Sequence, residues 1–311
     1  MLNNVTQVVK NKLEQNLALV KMFYKDFRLY DFASYALNRL TPKKGYSVVE
    51  NLAYGLKARQ RLDIFNAETP REQRPLIVFV HGGAWLHGDK KDYRFVGEAF
   101  AKEGYDVAII NYHLAPEHVF PSYIDDLSLA LNYLNQHQSK LNIRTEKIVL
   151  MGHSAGAFNV MSALYHPKPY TLQCRAQIQA IIGLSGPYHF DYKDDPLCAD
   201  AFDQSIPYQQ VMPYYFIESN TVKHYLFLAA NDQIVSHSNS RDLHRMLQEK
   251  GNHSQMITIP GTGHVSIMGS VSSLFSGYFQ TKKQILAVLE DALKPWFIAI
   301  PVCHRQQDDL R

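Results

Sequence analysis

The sequence predicts an α/β fold: a doubly wound, mostly parallel sheet with helices on both faces and a helical cap at the N-terminus. Short runs almost continuous in Val, Ile and Leu recur along the chain, and strands covered on both faces have that composition. Between the runs, apolar residues recur at helical spacing. The alternation lapses once, between Ser185 and Val222, in a stretch rich in Tyr, Phe, Pro and Asp. A segment this long with weak periodicity inside a compact domain reads as a lid or binding insertion.

In chain order, Leu13, Leu17, Val20, Tyr24 and Phe27 predict one or two amphipathic helices over residues 3–38, and residues 1–50 are assigned to the cap. RLDIF (61–65) is expected as an edge strand. Further strands are expected at LIVFV (76–80), VAIINY (107–112), KIVLM (147–151), IQAIIGL (178–184), YLFLAA (225–230) and MITI (256–259). Helices are expected from Tyr93 to Glu103, along the Ile124, Leu127, Leu131 and Leu134 stripe, and over 155–165, 238–250 and 282–293. The main domain is therefore placed at 51–295, with the insertion at about 186–222 and a tail at 296–311 that has no assigned structure. No internal repeat or low-complexity tract is present.

Composition excludes several classes. The 311 residues are 46% hydrophobic and 20% charged, ordinary for a globular protein, so disorder does not dominate. The net charge is +3 and no block of five or six like charges occurs, so no nucleic-acid partner is expected. Cys174, Cys198 and Cys303 are widely spaced without CxxC geometry, which points to no disulfide framework and no metal site. Lys10, Lys12, Glu14 and Lys21 interrupt the only stretch that would serve as a signal-peptide core, and no run of 18 apolar residues exists. A cytoplasmic protein without a membrane span is the expectation.

The stretch KIVLMGHSAGAFNV (147–160) is the chemical centre of the sequence. Taken alone, Gly-His-Ser-Ala-Gly is either a tight turn or a hydroxyl presented for reaction. Ser154 follows a buried strand and precedes a helix, and in parallel sheets reacting groups gather beyond the carboxyl ends of strands. Gly152 and Gly156 remove side chains that would collide at a sharp strand-to-helix turn. A serine hydroxyl is a poor nucleophile without a base and a group that orients the base. His264 follows the last predicted strand through a Pro-Gly-Thr-Gly loop, and Asp232 follows the strand before it. His253 would lie at the opposite end of the sheet; His237 and His244 belong to the intervening helix. Acyl transfer also needs donors for an oxyanion. Within VFVHGGAWLHG (78–88), the N–H groups of Gly83 and Ala84 are expected to join that of Ala155, with His81 as a loop brace and Trp85 either a wall of the pocket or core.

His81-Gly82-Gly83-Ala84-Trp85, NYHLAPE (111–117), FPSYIDD (120–126), Gly152-His153-Ser154-Ala155-Gly156, Asp232 and His264 together resemble the α/β-hydrolase esterases related to hormone-sensitive lipase and to arylformamidase (kynurenine formamidase). The resemblance spans about residues 50 to 293, and the chain order serine, acid, histidine matches that fold. It implies an α/β-hydrolase catalytic domain, a catalytic triad of Ser154, Asp232 and His264, and an oxyanion hole of Gly83, Ala84 and Ala155. It also implies structural roles for Glu117 and Asp126, and no cofactor or metal. Hormone-sensitive-lipase-like esterases usually read His-Gly-Gly-Gly and Gly-Asp-Ser-Ala-Gly, whereas this chain has Ala84 and His153; the His-Gly-Gly-x-Trp form is closer to arylformamidases. Trp85, His153 and Tyr188 are the candidates for the substrate pocket. The expected function is hydrolysis of a small carboxylic ester through an acyl-enzyme. The alternatives are an arylformamidase acting on N-formylkynurenine, a hydrolase-fold binding protein without catalysis and, as a minor one, a peptidase. The expected partner is a small ester or formamide, and a homodimer is left open.

Overall fold

The computed structural model describes residues 36–167 and 172–296. Most of the cap assigned to 1–50, and the tail beyond Trp296 including Cys303, lie outside the described residues. Eight strands form one sheet: β1 (Tyr46–Ala53), β2 (Arg61–Ala67), β3 (Leu76–Val80), β4 (Val107–Ile110), β5 (Ile148–His153), β6 (Ile178–Leu184), β7 (Lys223–Ala229) and β8 (Ser254–Ile259). Their order is β1-β2-β4-β3-β5-β6-β7-β8. Strand β2 pairs antiparallel with β1 and β4, and every pair from β4 to β8 is parallel.

Two expectations at the first edge are corrected. RLDIF is an inner strand, because β1 covers it; and residues 46–50, assigned to the cap, lie in β1. The sequence YSVVENLA of β1 is largely exposed, as an edge strand of mixed polarity is, and it lacks the apolar run that marks the inner strands. Residues 36–40 are helical, and Leu37 is buried in the core.

The inner strands send alternate side chains to opposite faces. Val78, Val80 and Leu150 enter the core under α2 (Ser122–Leu141), α3 (Ala155–Tyr165) and α4 (Ser238–Glu249), with Leu131, Phe158 and Leu243. Ile77, Phe79 and Met151 enter the second core under α1 (Arg94–Ala101) and α6 (Thr281–Ala292), with Phe95 and Leu289. The sheet is thus covered on both faces, which is why its strands read as continuous apolar runs. The insertion holds no α-helix or strand, only 3₁₀ turns at Ala199–Ala201, Tyr208–Gln210 and Pro213–Phe216. Among the described residues no helix is long and apolar enough to cross a membrane.

Candidate active site

Chain order reverses across β4-β3-β5, and the loops after β3 and β5 open onto one crevice at that switch point. Strand β5 runs to His153 and α3 starts at Ala155, so Ser154 is the single residue of the turn. Its φ of 53° and ψ of −121° form a strained conformation that places the side chain at the apex. The turn is held on both sides: Ser154 N–H donates to Leu184 O at 2.9 Å, and Ala157 N–H to Ser154 O at 2.9 Å. A Cβ on Gly152 would overlap the carbonyl of Gly156, and one on Gly156 the carbonyl of Val80, so the turn closes only around two glycines.

Three elements far apart in sequence meet here. Ser154 Oγ lies 2.9 Å from His264 Nε2, and His264 Nδ1 lies 2.9 Å from Asp232 Oδ2. With Nδ1–H donating to the carboxylate, Nε2 is left to accept the serine proton. Burial pushes the Asp232 carboxyl up, but the bond to His264 and the N–H groups of Val235 and Ile234 outweigh it, and its pKa falls to about 2. The short helix α5 (Ser266–Gly269) follows His264, and Ser266 Oγ accepts from Gly263 N–H at 2.8 Å, bracing the loop.

Across the crevice, Gly83, Ala84 and Trp85 are all left-handed, with φ of 121°, 50° and 61°. For Ala and Trp this costs on the order of 1–3 kcal/mol each. It is held by the N–H groups of Leu86 and His87 on Gly83 O, Ala115 N–H on Trp85 O, and Trp85 Nε1–H on Asn159 Oδ1 at 2.8 Å. Among the described residues, the N–H groups of Gly83 and Ala84 have no backbone acceptor; that of Ala155 is the first of α3. His81 is fully buried, stacks on Tyr112 at 4.4 Å and bonds Gly82 O through Nδ1; desolvation lowers its pKa to about 4. Asp126 accepts from Gln60 Nε2 and from the backbone N–H of His113, whose ring Nδ1 also lies 2.6 Å from that carboxylate, away from Ser154.

A cavity of about 200 Å³ opens on Ser154. Ala84 and Trp85 form one side, Ile234, Val235, Ser236 and Asn239 another, and Pro187, Phe190, Asp195, Leu197 and Cys198 of the insertion the third. Trp85 is both wall and core, since it lines the cavity while packing edge-on against Phe158 and Phe202. Two pocket expectations are corrected. His153 points away from the cavity, beneath His264, because successive side chains of β5 alternate between faces; Tyr188 is buried against Gly183 and Gly186, which lack the side chains that would exclude its ring. Sequence reasoning pointed to the aromatic insertion around Phe190, which lines the cavity, but missed the cavity role of Pro187, Asp195, Leu197 and Cys198, and that of Asn159. The lapse in periodicity marked the segment without marking which residues turn inward. Asn159, a polar residue on the wholly buried helix α3, was an available signal.

Sheet order, strained serine turn and crevice define an α/β-hydrolase esterase. Residues 62–247 match the BD-FAE family, and the chain belongs to that family; the matched region holds Ser154 and Asp232 and ends before His264. The chain is 26% identical over 264 residues to "Kynurenine formamidase" of Drosophila melanogaster, covering 82% of this chain and 85% of the relative. It is 30% identical over 150 residues to "Probable isoprenylcysteine alpha-carbonyl methylesterase ICME" of Oryza sativa subsp. japonica, covering 46% of this chain and only 36% of that one. Esterase B of Lactobacillus rhamnosus, whose structure is solved, superposes with a TM-score of 0.71 at 16% identity over 90% of this chain and 95% of its own, which is a likeness of fold.

Proposed function

We propose that the protein hydrolyses small carboxylic esters through an acyl-enzyme on Ser154. The observation that carries this reading is the unbroken run of contacts from Ser154 Oγ through His264 to Asp232, at 2.9 Å each. Ser154 Oγ bonds to the ester carbonyl carbon as its proton passes to His264 Nε2. Asp232 holds the Nδ1–H tautomer and stabilises the imidazolium. The negative oxygen so formed is met by the N–H groups of Gly83, Ala84 and Ala155, preorganised by the left-handed loop and the start of α3. Collapse breaks the bond to the leaving alcohol, which takes the proton from His264. Water then attacks the acyl carbon, gives its proton to His264, and Ser154 Oγ recovers a proton as it leaves. The cavity, at about 200 Å³, is smaller than a drug-sized site and suits a short acyl group.

Replacing Ser154 by Ala is expected to lower kcat on p-nitrophenyl acetate by about 10⁴ to 10⁶. Undiminished turnover by the purified, folded variant would end the assignment.

A second reading, hydrolysis of the formamide of N-formylkynurenine, is favoured by the extent of the match to the Drosophila kynurenine formamidase and by the aromatic residues Trp85 and Phe190 on the cavity. The same residues serve both reactions, the difference being an aryl amine as leaving group. Parallel kcat/KM measurements on N-formylkynurenine and on C2 to C6 acyl esters decide between them, the preferred class exceeding the other by tenfold or more.

A further inference from the structure

His153, the residue before the serine, has an environment that the triad alone does not explain. It lies on the far side of the turn from the cavity, and its Nε2 is 2.8 Å from the main-chain carbonyl of His264, 111 residues away. A carbonyl only accepts, so Nε2 carries the proton and Nδ1 holds a lone pair. Nδ1 is buried with no partner among the described residues. That edge of the ring rests on the oxyanion loop: a Cβ built on Gly82 would come within 3.0 Å of His153 Nδ1 and of Ser154 Cβ. The two imidazoles lie 5.1 Å apart, tilted by 41°. Desolvation, with the neighbouring His264 second, depresses the His153 pKa to about 3, so the ring stays neutral and keeps the same tautomer across the working range of an esterase.

We propose that His153 is a positioning residue that sets the place of His264 by binding its backbone carbonyl and bracing it against the Gly82–Gly83 loop. This deepens the triad reading and rests on it. A loop, not a strand or helix, carries His264, and its imidazole must meet Ser154 and Asp232 at once. The bond from His153 ties that loop to the last residue of β5, directly before Ser154, so nucleophile and base share one support. The unpartnered Nδ1 lone pair is the cost of using an imidazole there. A side chain at 82 would press on this arrangement, since its Cβ would stand 3.0 Å from Nδ1 and the main-chain oxygen of His153 and from Ser154 Cβ.

The test uses the full chain with His153→Phe, which keeps a ring without a donor, His153→Asn, whose amide is too short to reach the carbonyl, and His153→Gln, whose amide reaches it. Phe and Asn are expected to lower kcat on a short acyl ester by about 10- to 100-fold with KM within about twofold, and Gln to restore most of the loss. The second readout is the low-field NMR resonance of the proton between His264 and Asp232. It should broaden or move in the Phe and Asn variants and return in Gln. Should the Phe variant not fold, the Asn and Gln pair carries the comparison. The resonance is also read in a Ser154→Ala background, which has no need of turnover, so a failure of the nucleophile assignment is scored apart from a failure at His153. Wild-type kcat and an unmoved resonance in His153→Asn would overturn the proposal, as would equal losses in Asn and Gln.

Discussion

The rim of the cavity and the insertion that walls its third side are made by different means. On the rim, Ser154, Asp232 and His264 each lie within five residues of the end of a strand, β5, β7 or β8, and backbone hydrogen bonds hold those strands in register. The facing wall, within residues 186–222, has neither strand nor α-helix and is held by local turn hydrogen bonds together with side chains. Tyr192 stacks on Phe202 at 4.5 Å and its hydroxyl donates to Ile206 O, while the Asp195 carboxylate accepts from the N–H groups of Leu197 and Cys198. A hydrogen-bonded sheet fixes the places of its strand ends closely, and Ser154, Asp232 and His264 stand there. A wall of packed rings and turns tolerates exchange, and so it is the part in which substrate preference can change without loss of the chemistry.

If this division is right, the largest effects come from the rim. Asp232→Asn leaves the shape but not the charge or the imposed tautomer, and kcat on a short acyl ester should fall by about 10⁴. A loss below tenfold would break the contrast at its strongest point. Next is acid stability, because the buried histidines lie at the rim and in the sheet while the single histidine of the wall, His189, is half-exposed. Desolvation lowers His81 to about 4, His153 to about 3 and His224 to about 4, against about 6.5 when unfolded. A depressed folded pKa means that the unfolded chain takes up more protons, so this stability is complete above about pH 6.5 and is lost as pH falls towards 4. With three such groups the slope near pH 5 is about 4 kcal/mol per pH unit. Urea midpoints at pH 7, 6 and 5 measure it, and a flat series would contradict it. The smallest effect belongs where rim and wall touch. Trp85→Ala opens the cavity towards Phe158 and Phe202 and should move the kcat/KM optimum to longer acyl chains, changing the ratio of C6 to C2 esters by about tenfold. An unchanged chain-length profile would show that Trp85 packs the core without limiting the substrate.

Much of the sheet was legible because both of its faces are buried. Of the inner strands of the parallel part, β3 and β6 have the expected ends, β4 stops two residues early, and β5 continues through Gly152 to His153 because backbone pairing extends past its apolar run. The edge strand β1 was not found, because a strand exposed along most of its length has no apolar signature. At the site, Ser154, Asp232 and His264 were each marked by standing just beyond a strand, a position that periodicity reveals. His153 was misplaced because a residue next to Ser154 in sequence faces away from it, and Tyr188 because nothing in the composition tells which side chains of the insertion turn inward.

The sequence by itself therefore determined the layers of the fold, the placing of Ser154, Asp232 and His264 beyond successive strands and the turn that only Gly152 and Gly156 permit, because these follow from local spacing and steric exclusion. Tertiary structure alone decided that Asn159 fixes Trp85 across 74 residues, that His153 holds the loop of His264 across 111, and which side chains of the insertion turn inward. Those contacts join segments with no common period, and their energy exists only once the chain has brought both partners out of water to the same place.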